Sequence, residues 1–270
     1  YPELERVFEG HVHALIWALP SDVSRQEARR VARLIRGDEY IFHATKGIEP
    51  ETNKRISEIL REELPCARIG VISGPNLAVE IAKGEAAATV IASAFDDVIA
   101  AGQGLFHSEK FRVYGDHDLV GIEWAGAMKN IYAIAAGAIE ALGYGWNTKA
   151  MLFTLGLREI VRFTLPLGAK ESSLGGLAGM GDLIATCASP QSRNFRVGYR
   201  LAKGESLAQV LDEIGQTAEG VRTSKTVVTF ARERKVQMPI AEGVYDLVSG
   251  RLSALDLVEK VLARPVAPII

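Results

Sequence analysis

Two cysteines, Cys66 and Cys187, are all that this chain of 270 residues contains. They are too few for a disulfide scaffold and suit a reducing compartment, and packing is the expected role for each. Histidine is also scarce, at five residues. His11 and His13 stand two apart, but no Cys/His cluster supports them, so a packed or solvated pair is expected and no metal. Excess charge of either sign is nearly absent: 31 Lys and Arg stand against 33 Asp and Glu, a net charge of -2. Nothing in that balance suggests nucleic acid or an acidic membrane as partner. No apolar run reaches membrane-spanning length without interruption, because the longest, near 122–142, carries Glu123, Lys129, Asn130 and Glu140. No G-x-S-x-G elbow is present, so nothing proposes a serine-hydrolase triad. Gly102-Gln-Gly104 and Gly143-Tyr-Gly145 contain G-x-G, but neither follows a strand, and neither is a dinucleotide fingerprint. Internal repeats and low-complexity segments are absent too.

What is present is a globular composition, 48% hydrophobic and 24% charged, long enough for one large domain or two ordinary ones. Short apolar runs alternate with amphipathic stretches over the first part. His13–Leu19 reads as a buried strand stopped by Pro20, followed by a helix over Ser21–Ile35. Glu39–Thr45 is a second strand, with a helix from about Pro50 to Glu63. Arg68–Ser73 is a third, with a short helix beginning near Asn76. Ala87–Ser93 is a fourth, with a helix to about Gly102, and Phe111–Tyr114 a fifth. Such alternation predicts an α/β domain with a parallel sheet covered on both faces. After Asp118 strand-like runs vanish. Helical patterns follow over about 122–142, 148–165, 206–214, 220–234, 240–249 and 253–263, so the second domain is expected to be all-α. The boundary is placed at 117/118. Ser172–Gly198 is the longest stretch without a plain helical period and is expected to be irregular and functional.

Lys129 is the most informative residue. It lies mid-way along an apolar helix among small neighbours, Ala125, Gly126 and Ala133, and an ammonium there is costly to bury without a partner. The alternative is a lysine that snorkels to water along its own stem. Ligands of open parallel sheets bind beyond the carboxyl ends of the strands. Those ends carry Lys46, beside Gly47, and Ser73-Gly-Pro-Asn76. Lys46 reads equally as a turn lysine. Asn76 is expected to cap the following helix, and Gly74 would also let backbone N–H groups face an anion. In the glycine-rich stretch, Asp182 and Thr186 are four apart and would share a helix face, and Asp182 is a candidate carboxylate for Lys129. Ser192, Arg193 and Asn194 place a hydroxyl, a guanidinium and an amide in a row, a set suited to phosphate or to an ordinary polar loop.

The segments Ala44–Thr52, Ser73–Ala78, Gly126–Ile131, Gly179–Cys187, Gln191–Asn194 and Glu219–Arg222 together resemble the NAD(P)-dependent glycerol-3-phosphate dehydrogenase family of the bacterial type, in order and at compatible spacing. The resemblance implies a Rossmann-type domain, here truncated, over 1–117 and a helical substrate domain over 118–270. It implies an oxidoreductase that interconverts dihydroxyacetone phosphate and sn-glycerol 3-phosphate with NAD or NADP, feeding glycerophospholipid synthesis. Lys129 then matches the proton donor to the ketone oxygen, Lys46 a substrate contact that supports charge at that oxygen, and Asp182 the group that orients Lys129. Ser192, Arg193 and Asn194 match substrate-holding positions, with Arg193 also reaching the cofactor. Gly74 and Asn76 match further substrate contacts, the family more commonly having threonine at the latter. Ala78, Thr217 and Glu219 match cofactor-contacting positions; Thr217 replaces a more usual apolar residue.

One departure is large: the family's G-x-G-x-x-G loop, which cradles the cofactor diphosphate, has no counterpart in these residues. The chain starts at Tyr1-Pro-Glu-Leu-Glu, without an initiator methionine or a signal peptide, so roughly 60–80 residues, about two strand–helix units, are expected to precede it in a longer protein. Weak or absent cofactor binding by the chain alone follows. Two other readings stand beside the enzyme: a non-catalytic remnant serving only in association, and a related β-hydroxyacid-type dehydrogenase. A cytoplasmic protein is expected, and apolar helical faces are compatible with a homodimer.

Overall fold

The computed structural model of the protein describes residues 4–214 and 218–262. By compactness the chain divides into two units, Tyr1–Ala127 with Thr164–Asp182, and Met128–Phe163 with Leu183–Ile270. This division differs from a single cut at 117/118, because one long helix runs through both units and a later segment returns to the first.

The first unit begins with a short helix α1 (Leu4–Val7) and then builds a five-stranded sheet. Its strands are β1 (Ala14–Trp17), β2 (Tyr40–His43), β3 (Ile69–Ser73), β4 (Ala87–Ala92) and β5 (Phe111–Asp116), in that spatial order. Helices α2 (Ser24–Val31), α3 (Ile56–Glu63), α4 (Ala78–Ala82) and α5 (Asp96–Phe106) connect them. Alternation along β2 shows why both faces are covered. Ile41 packs with Ala28, Val31, Ile56, Ile59 and Leu60 of α2 and α3, while the next residue, Phe42, packs with Ile91, Val98 and Val113 on the α5 side.

The sheet is not wholly parallel, as the alternating pattern had predicted. β1, β2 and β3 are parallel, and so are β4 and β5, but β4 runs antiparallel to β3. Connection length gives the reason. A parallel crossover must carry the chain back along the strand it has left. The five residues of β3 span about 16 Å, whereas the five residues of α4 rise only about 8 Å. The eleven residues of α5 rise about 16 Å and do return the chain, so β5 follows β4 in parallel. The last residue of β3, Ser73, consequently pairs with Val90, and Gly74 just beyond it lies beside Ala88 and Thr89 near the start of β4.

Helix α6 (Leu119–Ala141) is about 35 Å long, and every residue from 121 to 139 is buried. That accounts for its lack of a polar face: a helix apolar all round is a buried one. After α7 (Trp146–Thr164), residues 165–182 rejoin the first unit through α8 (Glu171–Leu174) and a π-helical turn over Leu177–Gly181. Ala178 and Leu177 of that turn pack against Val71, Val90 and Ile122.

The second unit is helical: the later part of α6, α7, α9 (Asp182–Ala188), α10 (Arg193–Ala202), α11 (Leu207–Ile214), α12 (Glu219–Glu233), α13 (Pro239–Val248) and α14 (Ala254–Leu262). Residues 172–198, expected to be irregular, therefore contain α8, α9 and the start of α10. Glycines at 175, 176, 179, 181 and 198 remove the apolar markers from which a period is read. Two glycines set the closeness of α6 and α10. A methyl group at Gly198 would overlap the Ile134 carbonyl oxygen, and one at Gly137 would overlap that of Phe195.

Candidate active site

The first cluster of candidate residues stands at the carboxyl ends of β2 and β3. The chain leaves β2 at His43, and Thr45 Oγ1 donates to the Leu19 carbonyl at 2.7 Å, fixing the turn. Lys46 reaches across to β3, where its Nζ donates to the Ile72 carbonyl at 3.0 Å and to Ser73 Oγ at 2.6 Å. Helix α6 approaches through Gly126, where an added Cβ would stand 3.1 Å from Lys46 Cδ and 3.3 Å from Ser73 Oγ. Glycine at 126 therefore admits the lysine stem. The turn reading of Lys46 does not hold: its ammonium is anchored on the neighbouring strand.

Gly74 is explained by the antiparallel pair. A Cβ there would lie 3.0 Å from both the Ala88 carbonyl oxygen and Thr89 Cα. Asn76 does not cap α4, as had been expected; the cap position is Leu77, which makes no side-chain cap. Asn76 Nδ2 donates instead to Thr89 Oγ1 at 2.7 Å, and Thr89 Oγ1 donates to the Ser73 carbonyl at 3.2 Å. Asn76 Oδ1 is left buried with no hydrogen-bond partner among the described residues. A buried acceptor of this kind fits a ligand donor, such as a hydroxyl or an amide N–H. Ala78 is exposed at the start of α4, two residues on. The π-helical turn lies alongside, with a Cβ at Gly181 only 3.9 Å from Pro75 Cδ. It ends on Asp182, 2% exposed, the first residue of α9. Asp182 and Thr186 do share a helix, and both are buried.

A clamp that sequence reasoning missed holds this cluster. Glu123, on α6 one turn before Gly126, is buried. Its carboxylate accepts from Arg55 Nη1 at 2.6 Å, from the Ser57 amide at 2.8 Å and from Ser57 Oγ at 2.5 Å. His43 Nε2 lies 3.1 Å from its other side, close enough to pair electrostatically though outside hydrogen-bond geometry. Burial by itself would raise the Glu123 carboxyl strongly. His43, the Arg55 guanidinium and the Ser57 hydrogen bonds outweigh it and hold the group down to about 2. His43 immediately precedes the 44–54 loop that carries Lys46, and Arg55 and Ser57 follow it. One carboxylate thus ties both ends of that loop to α6. The signal was an acid on an otherwise apolar helix, six residues before Lys129.

In the helical unit the candidates gather where α6, α10 and α12 meet. Lys129 is buried, 9% exposed. Next to it, the Asn130 carbonyl oxygen would be 2.5 Å from a Cβ at Gly220, so only glycine allows α12 this close. Asn194 Oδ1 accepts from the Gly220 amide at 3.0 Å, leaving its N–H₂ as the group that can donate to a ligand. Ser192 caps α10, its Oγ accepting from the Phe195 amide at 3.3 Å. Arg193 is exposed at the first helical position, where a cation faces the positive end of the helix dipole. Glu219 begins α12, where a carboxylate is favoured by the dipole without further cause. Thr217 lies outside the described residues.

Relatives that share this sheet unit and this helical unit are nicotinamide-dependent oxidoreductases. Residues 1–98 match the family model described as NAD-dependent glycerol-3-phosphate dehydrogenase N-terminus, and residues 118–259 match the one for the C-terminus. The chain belongs to that family. It is 47% identical to the glycerol-3-phosphate dehydrogenase [NAD(P)+] of Teredinibacter turnerae over 93% of this chain and 74% of that protein. Against the protein of the same name from Pseudomonas putida it is 47% identical over 86% of this chain and 67% of the relative. Among solved structures, glycerol-3-phosphate dehydrogenase from Coxiella burnetii superposes with a TM-score of 0.93 at 34% identity, covering 98% of this chain and 81% of that one. A ketopantoate reductase from Ralstonia eutropha, at 13% identity and a TM-score of 0.57, shares the fold alone. The chain spans about two thirds to three quarters of the length of these curated relatives.

Proposed function

We propose that this chain interconverts dihydroxyacetone phosphate and sn-glycerol 3-phosphate with NAD or NADP, the reaction its relatives' names describe. The anchoring of Lys46 on the last two residues of β3 carries this reading, because it fixes a cation where the α/β sheet presents ligands. The nicotinamide, when bound, supplies or accepts the hydride at the carbon. Lys129 delivers a proton to the ketone oxygen in reduction and takes it back in oxidation. A buried ammonium suits that task because charge develops on oxygen in a water-poor site. Lys46 stabilises the same oxygen, and Asp182 orients Lys129.

Arg193 and the N–H₂ of Asn194 take the phosphate together with the Ser192 hydroxyl. A guanidinium at the positive end of α10 is relieved by a bound dianion, and the helix N-terminus adds to that attraction. Gly74 and the orphaned Asn76 Oδ1 face substrate hydroxyls. Ala78, Arg193, Thr217 and Glu219 serve the cofactor. A G-x-G-x-x-G loop for the diphosphate is not among these 270 residues. We also propose a cytoplasmic homodimer, the first supported by the low cysteine count and the second by apolar surface at Ile184 and Leu255.

The test is the oxidation rate of NADH and NADPH with dihydroxyacetone phosphate, unphosphorylated dihydroxyacetone and 2-keto acids. Consumption that requires the phosphate supports the proposal. Equal rates on unphosphorylated substrates favour a hydroxyacid dehydrogenase. Binding of the phosphorylated ketone without turnover at any nicotinamide concentration favours a non-catalytic association module.

A further inference from the structure

Within the helical unit a cavity of about 450 Å³ opens between the end of α6, the first turn of α7, the end of α9 and the first two turns of α10. None of the candidate site residues lines it. Its volume lies in the range of small-molecule sites, which run from roughly 300 to 1,000 Å³. The inner wall is apolar, formed by buried Phe195 and Cys187. Two aromatic rings stand at the mouth: Trp146, 68% exposed, and Tyr199. An indole so open to water at the first position of a helix contributes little to packing its own fold.

The charge around these rings is lopsided. Lys149 Nζ sits 4.8 Å from the centre of the Trp146 ring and pairs with Glu140, so that pair is neutral. Arg196, one turn before Tyr199 on α10, is exposed, and its guanidinium has no ion pair or hydrogen bond among the described residues. Lys203 adds a further positive charge 5.6 Å from the Tyr199 ring. Open aromatic faces beside an unpaired guanidinium are complementary to a flat apolar body carrying one acid group: the rings offer stacking, and the planar fork of arginine offers two parallel bonds to an oxyanion. A cation is disfavoured by the net positive mouth, and a neutral hydrocarbon would leave Arg196 uncompensated.

We propose that this cavity is a binding site for a small aromatic anion, stacked on Trp146 and Tyr199 with its acid group on Arg196. The site is independent of the reaction proposed above. It touches α10 one turn beyond Arg193 and Asn194.

The test uses the full chain with 1-anilinonaphthalene-8-sulfonate as probe and N-phenyl-1-naphthylamine as its uncharged counterpart. Trp17 and Trp124 are buried, so emission quenchable by acrylamide reports Trp146. The expected result is one saturable site for the sulfonate that shields Trp146 from acrylamide. Affinity should fall about tenfold or more for the uncharged compound and for Arg196→Ala, with partial recovery in Arg196→Lys. Trp146→Phe should keep the affinity within a few-fold and lose the emission change, which locates the probe. Both side chains are exposed, so neither variant threatens folding, and circular dichroism checks this. Undiminished binding in Arg196→Ala, equal affinity for the uncharged compound, or binding that leaves Trp146 quenchable would overturn the proposal. So would sedimentation showing a second copy of the chain covering Trp146 and excluding the probe.

Discussion

Replacing Glu123 by glutamine keeps the shape of the side chain and removes the charge that ties the Lys46 loop to α6. The magnitude follows from the carboxyl's position. Its ordinary value is 4.5, and in the folded chain it is held at about 2. Each unit corresponds to about 1.4 kcal/mol, so ionised Glu123 contributes on the order of 3 kcal/mol to folding. That agrees with the cost of breaking a buried charge pair, about 3–5 kcal/mol. The sign is that of a depressed acid. The contribution is fully present above pH 4.5 and is lost as pH falls through about 2. Urea unfolding of wild type and Glu123→Gln at neutral pH, and then at steps down the acid limb, measures both terms. The variant should be about 3 kcal/mol less stable at neutral pH, and the difference should shrink steadily below pH 4.5. Substrate affinity should fall with it, because His43, Arg55 and Ser57 no longer share one anchor. A difference under about 1 kcal/mol, or acid limbs that run parallel, would refute the clamp.

Two further perturbations test packing in the helical unit. Gly198→Ala and Gly137→Ala each drive a methyl into a backbone carbonyl of the facing helix, so each should cost about 3 kcal/mol or more in thermal unfolding; an unchanged melting temperature would mean that α6 and α10 are less close than described. Glu159 is fully buried and accepts from the Ile240 and Ala241 amides at 2.8 and 3.2 Å, which caps α13, and from Tyr132 Oη at 3.3 Å. Glu159→Ala should cost about 3 kcal/mol in urea and raise hydrogen exchange at those two amides; exchange unchanged at 240 and 241 would exclude the cap.

Much of this architecture was legible in the sequence, and the failures have physical causes. The β–α alternation located all five strands, because each writes a short apolar run, even β5 at the sheet edge, where most residues are not buried. It could not orient β4, since direction depends on whether the connecting segment is long enough to carry the chain back. The 172–198 stretch hid α8, α9 and the first turn of α10, because glycine contributes backbone without side-chain periodicity, and here the glycines mark close approach. Lys129 and Lys46 were legible as charges out of place, one on an apolar helix and one at a strand end. The Glu123 clamp was not, for its partners His43, Arg55 and Ser57 lie 66 to 80 positions away in the chain and no local pattern joins them. Asn76 misled for a related reason. A residue before a short helix resembles a cap, yet its bond goes sideways to Thr89, on the strand that the short connection turned antiparallel.

The most direct test of the central claim is turnover of dihydroxyacetone phosphate by wild type and Lys129→Met, with NADH raised until the rate no longer increases. The methionine fills the buried space of the lysine stem without its ammonium. Loss of a general acid predicts a fall in kcat of about 100-fold or more, with the KM for dihydroxyacetone phosphate changed only a few-fold and the circular dichroism unaltered. A variant that retains kcat within a few-fold of wild type would contradict the assignment of Lys129 as the proton donor.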